Sequence, residues 1–188
     1  MGASERELAV FVMGGTIDSR NAPERDGESV ILRESLVRRY LEGLHLNLKI
    51  VVRVICLKDS RSITQEDRDA LASAIQELGI RHNLVTHGTY TMKQTGEDVL
   101  MRGALRDKVI GFTGSLGTLL GTVDEEGRLM PSDGQFNLGY AVGSVFSAEN
   151  GVYQLMNGET FKLPDEWWAH TPTGVMWKKS GRETTKSH

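Results

Sequence analysis

Two threonines stand beside glycines at the points where apolar runs end. Leu8–Met13 leads into Gly14-Gly15-Thr16-Ile17-Asp18-Ser19, and Leu84–His87 leads into Gly88-Thr89-Tyr90-Thr91-Met92. Each is read as a strand-to-helix turn. Glycine lets a backbone approach a ligand closely there, and a positioned hydroxyl can attack or relay a proton. Two hydroxyls on two such turns can converge on one ligand at the carboxyl ends of parallel strands. Thr16 and Thr89 are therefore the candidate catalytic pair, with Gly15 and Gly88 beside them. A third turn, Asp59-Ser60-Arg61, follows the apolar run Leu48–Leu57 and adds another hydroxyl and a cation.

The elements that must hold these turns alternate along the chain. Leu8–Met13 reads as a buried strand and Asp18–Ser29, with Pro23 and Gly27, as a loop. Ile31, Leu32, Ser35, Leu36, Arg39 and Tyr40 fit helical spacing. Leu48–Leu57 is a β-branched strand. Thr64-Gln65-Glu66-Asp67 forms a capping box for a helix through Leu71, Ile75 and Leu78 to Gly79. Leu84–His87 and Lys108–Phe112 read as strands flanking a helix over Thr91–Arg102. Thr113–Arg128 reads as a loop or short hairpin. Ser132 caps a helix to about Ala148, and Gly151–Met156 is the last strand expected. This alternation predicts an α/β fold in three layers, a mainly parallel sheet with helices on both faces. Right-handed crossovers then bring Thr16, Ser60 and Thr89 to one edge. The expected organisation is a single domain over residues 1–178 with a flexible tail over 179–188.

Composition narrows the class of function. The 188 residues carry a formal net charge of −3, with 39% hydrophobic and 25% charged side chains. That balance suits a globular protein and lacks the basic face that nucleic-acid binding needs. No apolar run approaches a membrane span, and the N-terminus lacks a signal-peptide pattern, so the expectation is a cytoplasmic protein. Cys56, the only cysteine, lies in an apolar run and reads as a packing residue rather than a nucleophile. His45, His82, His87, His170 and His188 are scattered without metal-ligand spacing. The Gly14-Gly15 turn has no dinucleotide or Walker pattern. No metal and no cofactor are expected.

Together the motifs resemble the bacterial-type L-asparaginases. Gly14-Gly15-Thr16-Ile17-Asp18, Asp59-Ser60-Arg61-Ser62-Ile63-Thr64, Thr86 to Met92, Phe112-Thr113-Gly114 and Ser132 to Leu138 stand in that family's order and spacing. The likeness covers roughly residues 8 to 158 and is greatest to short members that lack the C-terminal domain. It implies hydrolysis of a small amide through a covalent acyl-enzyme. It implies Thr16 as nucleophile, Thr89 as partner of an aspartate and a lysine, and Ser60 as holder of the substrate α-carboxylate. The backbone amides of the glycine turns would stabilise the oxyanion. It also implies a homo-oligomer acting on a small molecule that bears a carboxylate or amide, with no nucleic-acid or membrane partner.

The departures matter as much. Tyr90 stands where the family has an aspartate that meets the substrate α-ammonium, and Arg61 stands at a glutamine that does the same. A guanidinium ~4 Å from an ammonium repels it by about 1–4 kcal/mol, and losing the anion removes a charge-assisted bond. Free L-asparagine is therefore not the expected substrate in the usual pose. No tyrosine lies in Asp18–Ser29, where the family has a mobile one. The family lysine falls near Trp168 or Ala169, and neither Lys162 nor Lys178 matches its register.

Plainer roles compete at several positions. His87 reads as a structural histidine, Asp18 as a brace of the first turn, and Asp133 with Ser132 as a helix cap that backs the site. Asp59 either orients Ser60 or closes a turn. Arg61 faces either a ligand or solvent. Trp167, Trp168 and Trp177 read as packing residues before a lid. The leading expectation is an asparaginase-like amidohydrolase. The alternatives are a ligand-binding protein that has lost catalysis, or a transferase or lyase in the same pocket.

Overall fold

The computed structural model describes residues 6–20, 30–179 and 181–186. In chain order the strands are β1 (Glu7–Gly14), β2 (Lys49–Lys58), β3 (His82–Thr86), β4 (Val109–Thr113), β5 (Thr122–Val123), β6 (Leu129–Met130), β7 (Gly151–Met156), β8 (Glu159–Lys162), β9 (Trp167–Thr171), β10 (Gly174–Lys179) and β11 (Arg182–Lys186). The α-helices are α1 (Leu36–Glu42), α2 (Gln65–Leu78), α3 (Met92–Met101) and α4 (Asp133–Val145). Short 3-10 turns cover Thr16–Asp18, Ser60–Ser62 and Gly103–Leu105.

The central sheet has the order β2-β1-β3-β4-β7-β8. Its first five strands run parallel, and β8 returns antiparallel along β7. Alternate residues of β1 feed two cores. Ala9, Phe11 and Met13 pack with Leu71 and Ile75 of α2 and Met92 and Val99 of α3. Leu8, Val10 and Val12 pack with Val37 and Leu41 of α1 and Leu138, Ala141 and Val145 of α4. Because side chains alternate across a strand, a run apolar at every position must be covered on both faces. β1 is such a run: every residue after Glu7 is buried. The chain leaves β1 toward β2 and then crosses back to β3. The strand order thus reverses at β1 and β3, where such sheets open a crevice beyond their carboxyl ends.

Local signals shaped most elements as read. Thr64 and Asp67 form the reciprocal capping box of α2, and Gly79 closes it with φ +65°. The uncertain stretch after Thr113 contains the β5–β6 hairpin. No helix among the described residues is long and apolar enough to cross a membrane.

Three expectations change. Helix α1 starts at Leu36, and Ile31 instead bridges Ser19. The cause is the cap: Ser35 Oγ accepts from Arg38 N, while the buried Asp18 carboxylate accepts from Leu36 N at 2.5 Å and Val37 N at 3.2 Å. A carboxylate at a helix N-terminus meets unsatisfied donors there. Burial nonetheless outweighs these bonds and raises the Asp18 pKa. Second, β7 is not the last strand. It is followed by β8 and by a three-stranded sheet of order β11-β10-β9. Third, Arg182–Lys186, expected within a flexible tail, pairs antiparallel with β10. The loop expected over Asp18–Ser29 lies outside the described residues from 21 to 29.

Candidate active site

Three turns meet at the carboxyl ends of β1, β2 and β3. After β1, Gly14 and Gly15 take φ of +83° and +87°, a conformation open to glycine. Gly15 N donates to Lys58 O at 2.9 Å, which ties this turn to the end of β2. A methyl placed on Gly15 would lie 2.4 Å from both N and Cα of Gly88, so the two glycine backbones touch. A methyl on Gly88 would in turn lie 2.7 Å from Cβ and Oγ of Ser60. Thr91 Oγ1 donates to Ser60 O at 2.7 Å and closes the triangle. The structure therefore brings Thr16, Ser60 and Thr89 together on three turns in backbone contact, and all three are buried.

His87 stiffens the Thr89 turn from behind. Its Nδ1 lies 2.7 Å from the Gly88 carbonyl, which can only accept, so Nδ1 carries the proton and donates. Nε2 then accepts from Thr95 Oγ1 at 2.9 Å, and that hydroxyl accepts from Arg68 Nε at 3.2 Å. With the Gly88 oxygen held this way, the amide N–H of Thr89 points in the opposite direction, because the peptide is planar and trans. Burial lowers the His87 pKa from 6.5 to about 4, so the ring is neutral near pH 7 and serves structure, as expected. The unfolded chain binds a proton that the folded one rejects. This contribution to stability is present above about pH 6.5 and is lost as pH falls through about 4. Urea denaturation at about pH 7 and about pH 4.5 is expected to show a loss of roughly 2–3 kcal/mol from this group. His87→Gln is expected to be weaker at both values and to show a smaller drop between them.

Thr89 has an unforeseen partner. Its Oγ1 lies 3.0 Å from Nδ1 of His170, on β9. The His170 ring packs on Tyr90 with centroids 4.5 Å apart, and the Arg61 guanidinium lies 4.8 Å over the Tyr90 ring. Arg61 is anchored in turn by Asp59, with Nε to Oδ1 and Nη2 to Oδ2 both at 3.1 Å. Asp59 also accepts from Arg61 N at 2.9 Å, so it closes the turn and holds the guanidinium. The Arg61 side chain is 36% exposed. It is partly open to solvent and is not a lone cation; its charge is compensated by a buried carboxylate. The repulsion expected from an isolated arginine is reduced accordingly.

Sequence reading passed over His170 because it stands 81 positions from Thr89. One signal was there. In a strand, Trp168 and His170 share a face, and Trp168 is buried against the α2–α3 side of the sheet. The buried Gln154 on β7 fixes that face. Its Oε1 accepts from Trp168 N at 2.8 Å, and its Nε2 donates to Trp168 O at 2.9 Å.

The other candidates fall in different places. Lys162 lies at the amino end of β7, with Nζ 5.8 Å over the Tyr153 ring and 3.9 Å from Glu149, at the opposite sheet edge from Thr89. Ser132 caps α4 by accepting from Gly134 N, and Asp133, the first residue of the helix, accepts from Leu116 N and Gly117 N at 3.0–3.1 Å, so it pins the loop after β4. Cys56 packs under β1, and burial raises its thiol to about 11, far from a thiolate. Trp167 and Trp177 pack against the same core as Trp168. Among the described residues no group of three or more His, Cys, Asp or Glu could hold a metal ion.

Comparisons with known proteins give the family and the fold. The family profile described as "Asparaginase, N-terminal" matches residues 7–176. A search of curated proteins finds no significant match. Among solved structures, a probable cytoplasmic L-asparaginase from Campylobacter jejuni superposes with a TM-score of 0.70 at 21% identity, covering 98% of this chain and 59% of that one. L-asparaginase I from Vibrio cholerae O1 superposes with a TM-score of 0.68 at 17% identity, covering 98% and 62%. The chain therefore spans about three fifths of the length of these two proteins.

Proposed function

Since the chain belongs to the asparaginase family, we propose that it is an amidohydrolase that opens a small carboxylate-bearing amide with Thr16 as nucleophile. The observation that carries this reading is the contact of the Gly15 and Gly88 backbones, which sets the Thr16 and Thr89 turns against each other. Thr16 Oγ1 bonds to the amide carbon, ammonia leaves with the proton, and water then cleaves the ester. Ser60 holds the substrate carboxylate. The Thr89 N–H, directed away from the Gly88 oxygen by His87, is the candidate oxyanion donor. No metal or cofactor enters this scheme.

The preferred substrate lacks an α-ammonium. Tyr90 supplies no carboxylate to meet one, and the Asp59 carboxylate is engaged by Arg61. A hydrogen bond to a charged group contributes about 1.5–3 kcal/mol. Succinamate, which is L-asparagine without its amino group, is therefore expected to exceed L-asparagine in kcat/KM by roughly 10- to 100-fold. Ammonia release from succinamate, glutaramate, L-asparagine and L-glutamine checks this. A preference for L-asparagine would overturn the substrate class. No release from any amide would overturn the enzyme reading and favour ligand binding without turnover, which the remote position of Lys162 supports. A ligand-induced rise in melting temperature would then identify the bound acid.

A further inference from the structure

We propose that His170 is the proton acceptor for the Thr89 hydroxyl, an imidazole in place of an amine, and that β9 exists in this protein to deliver it. The inference rests on the amide-cleaving reading above.

Two independent restraints hold the ring. Gln154 clamps both backbone groups of Trp168, which fixes β9 two residues before His170 and sets the face it presents. The Tyr90 ring, braced by the Asp59–Arg61 pair, then sets the orientation of the imidazole. The result is an Nδ1 at 3.0 Å from Thr89 Oγ1, within the 2.6–3.2 Å that proton transfer needs. With the ring proton on Nε2, Nδ1 offers a lone pair to the hydroxyl. Such a part-buried contact between a hydroxyl and a strand-borne histidine is not needed to hold the turn. The turn is already tied by Thr91 to Ser60 and by His87 to Gly88.

The proton count closes. As water bonds to the acyl carbon on Thr16, one of its protons moves to Thr89 Oγ1, and the proton of that hydroxyl moves to His170 Nδ1. When the ester C–O bond breaks, the imidazolium returns its proton through Thr89 to the Thr16 oxygen. Acid, free Thr16 and a neutral ring remain. Among the described residues, the titratable and charged groups shown against the ring are Tyr90 and, across it, Arg61 with Asp59 on the turn after β2; the charged residue shown against the neighbouring Trp167 is Lys93 on α3. Lys93 is paired with Glu97 and lies 5.8 Å over Trp167. The β10 residue opposite His170 is Val175, which is apolar.

The experiment uses the full chain and has two arms. In the first, nitrogen NMR of the histidine rings identifies the His170 signal by its loss in His170→Gln. Thr89→Val is expected to shift that signal and its titration, while Thr89→Ser preserves both. An unchanged His170 signal in Thr89→Val overturns the contact, whether or not the protein turns over any amide. In the second arm, ammonia release from succinamate is followed against pH. His170→Gln is expected to lower kcat by roughly 10²-fold or more, with little change in KM, and to remove a step in the pH profile. In His170→Ala, free imidazole is expected to restore part of the rate, a rescue that a packing role would not produce. Activity in His170→Gln within about twofold of wild type, with the pH step intact, overturns the role. If the wild type releases no ammonia at all, the amide reading fails and the NMR arm alone judges the contact.

Discussion

Thr16→Ala is expected to fold normally and to release ammonia on the order of 10³-fold or more slowly than wild type. In the proposed scheme the hydroxyl removed is the atom that bonds to the amide carbon, so no acyl-enzyme would form and only direct attack by water would remain. The fold has little reason to suffer. The turn is held through the Thr16 carbonyl, which accepts from Ser19 N at 3.0 Å and Ser19 Oγ at 2.7 Å, and both bonds survive the change. Neighbouring Ile17 stays anchored in the α1–α4 core. The measurement is kcat on succinamate, with the melting temperature as control. Thr16→Ser is expected to keep part of the activity. Turnover by Thr16→Ala within about tenfold of wild type would move the nucleophile elsewhere.

The second large effect concerns a residue without a side chain. Gly15→Ala is expected to cost about 2–6 kcal/mol of stability and to abolish turnover. Two causes add. The backbone sits at φ 87° and ψ −177°, a conformation that strains any L side chain by roughly 1–3 kcal/mol. The new methyl also lands 2.4 Å from backbone atoms of Gly88, which cannot rotate away. Overpacking of this kind costs roughly 1–3 kcal/mol more. Relief requires the two turns to part, which separates the Thr16 and Thr89 hydroxyls that act on one substrate in the proposed scheme. Urea denaturation and ammonia release test both halves. Gly79→Ala is the comparison: it has a positive φ of +65° in the left-handed helical region and no atom within 4 Å, so it reports the cost of a positive φ without overlap. If Gly15→Ala cost no more than Gly79→Ala, the backbone contact would not be what holds the site.

Much of the scaffold was legible because its causes are local or periodic. A run that is apolar at every position needs cover on both faces, and β1 received it from α2 and α3 on one side and α1 and α4 on the other. The capping box of α2 and its glycine stop act within one turn of the chain. The start of α1 was misread because periodicity does not mark the Ser35 cap, nor the Asp18 carboxylate that reaches the first-turn amides from 18 positions away. Strands β8 to β11 were missed for a related reason. Their apolar positions are sparse, and they form by pairing with one another and with β7.

Residue types and spacing determined by themselves that this is a three-layer α/β protein with hydroxyl-bearing turns at one end of a parallel sheet. Those features follow from hydrophobic alternation, turn chemistry and the handedness of crossovers, which act on short stretches. Only the tertiary structure decided the charge and proton relations within the crevice. It engaged Arg61 with Asp59, left Lys162 at the far sheet edge, and brought His170 to Thr89 across 81 positions. A hydrogen bond depends on distances of a few tenths of an ångström. No one-dimensional pattern encodes such distances between segments whose approach is set by the packing of everything between them.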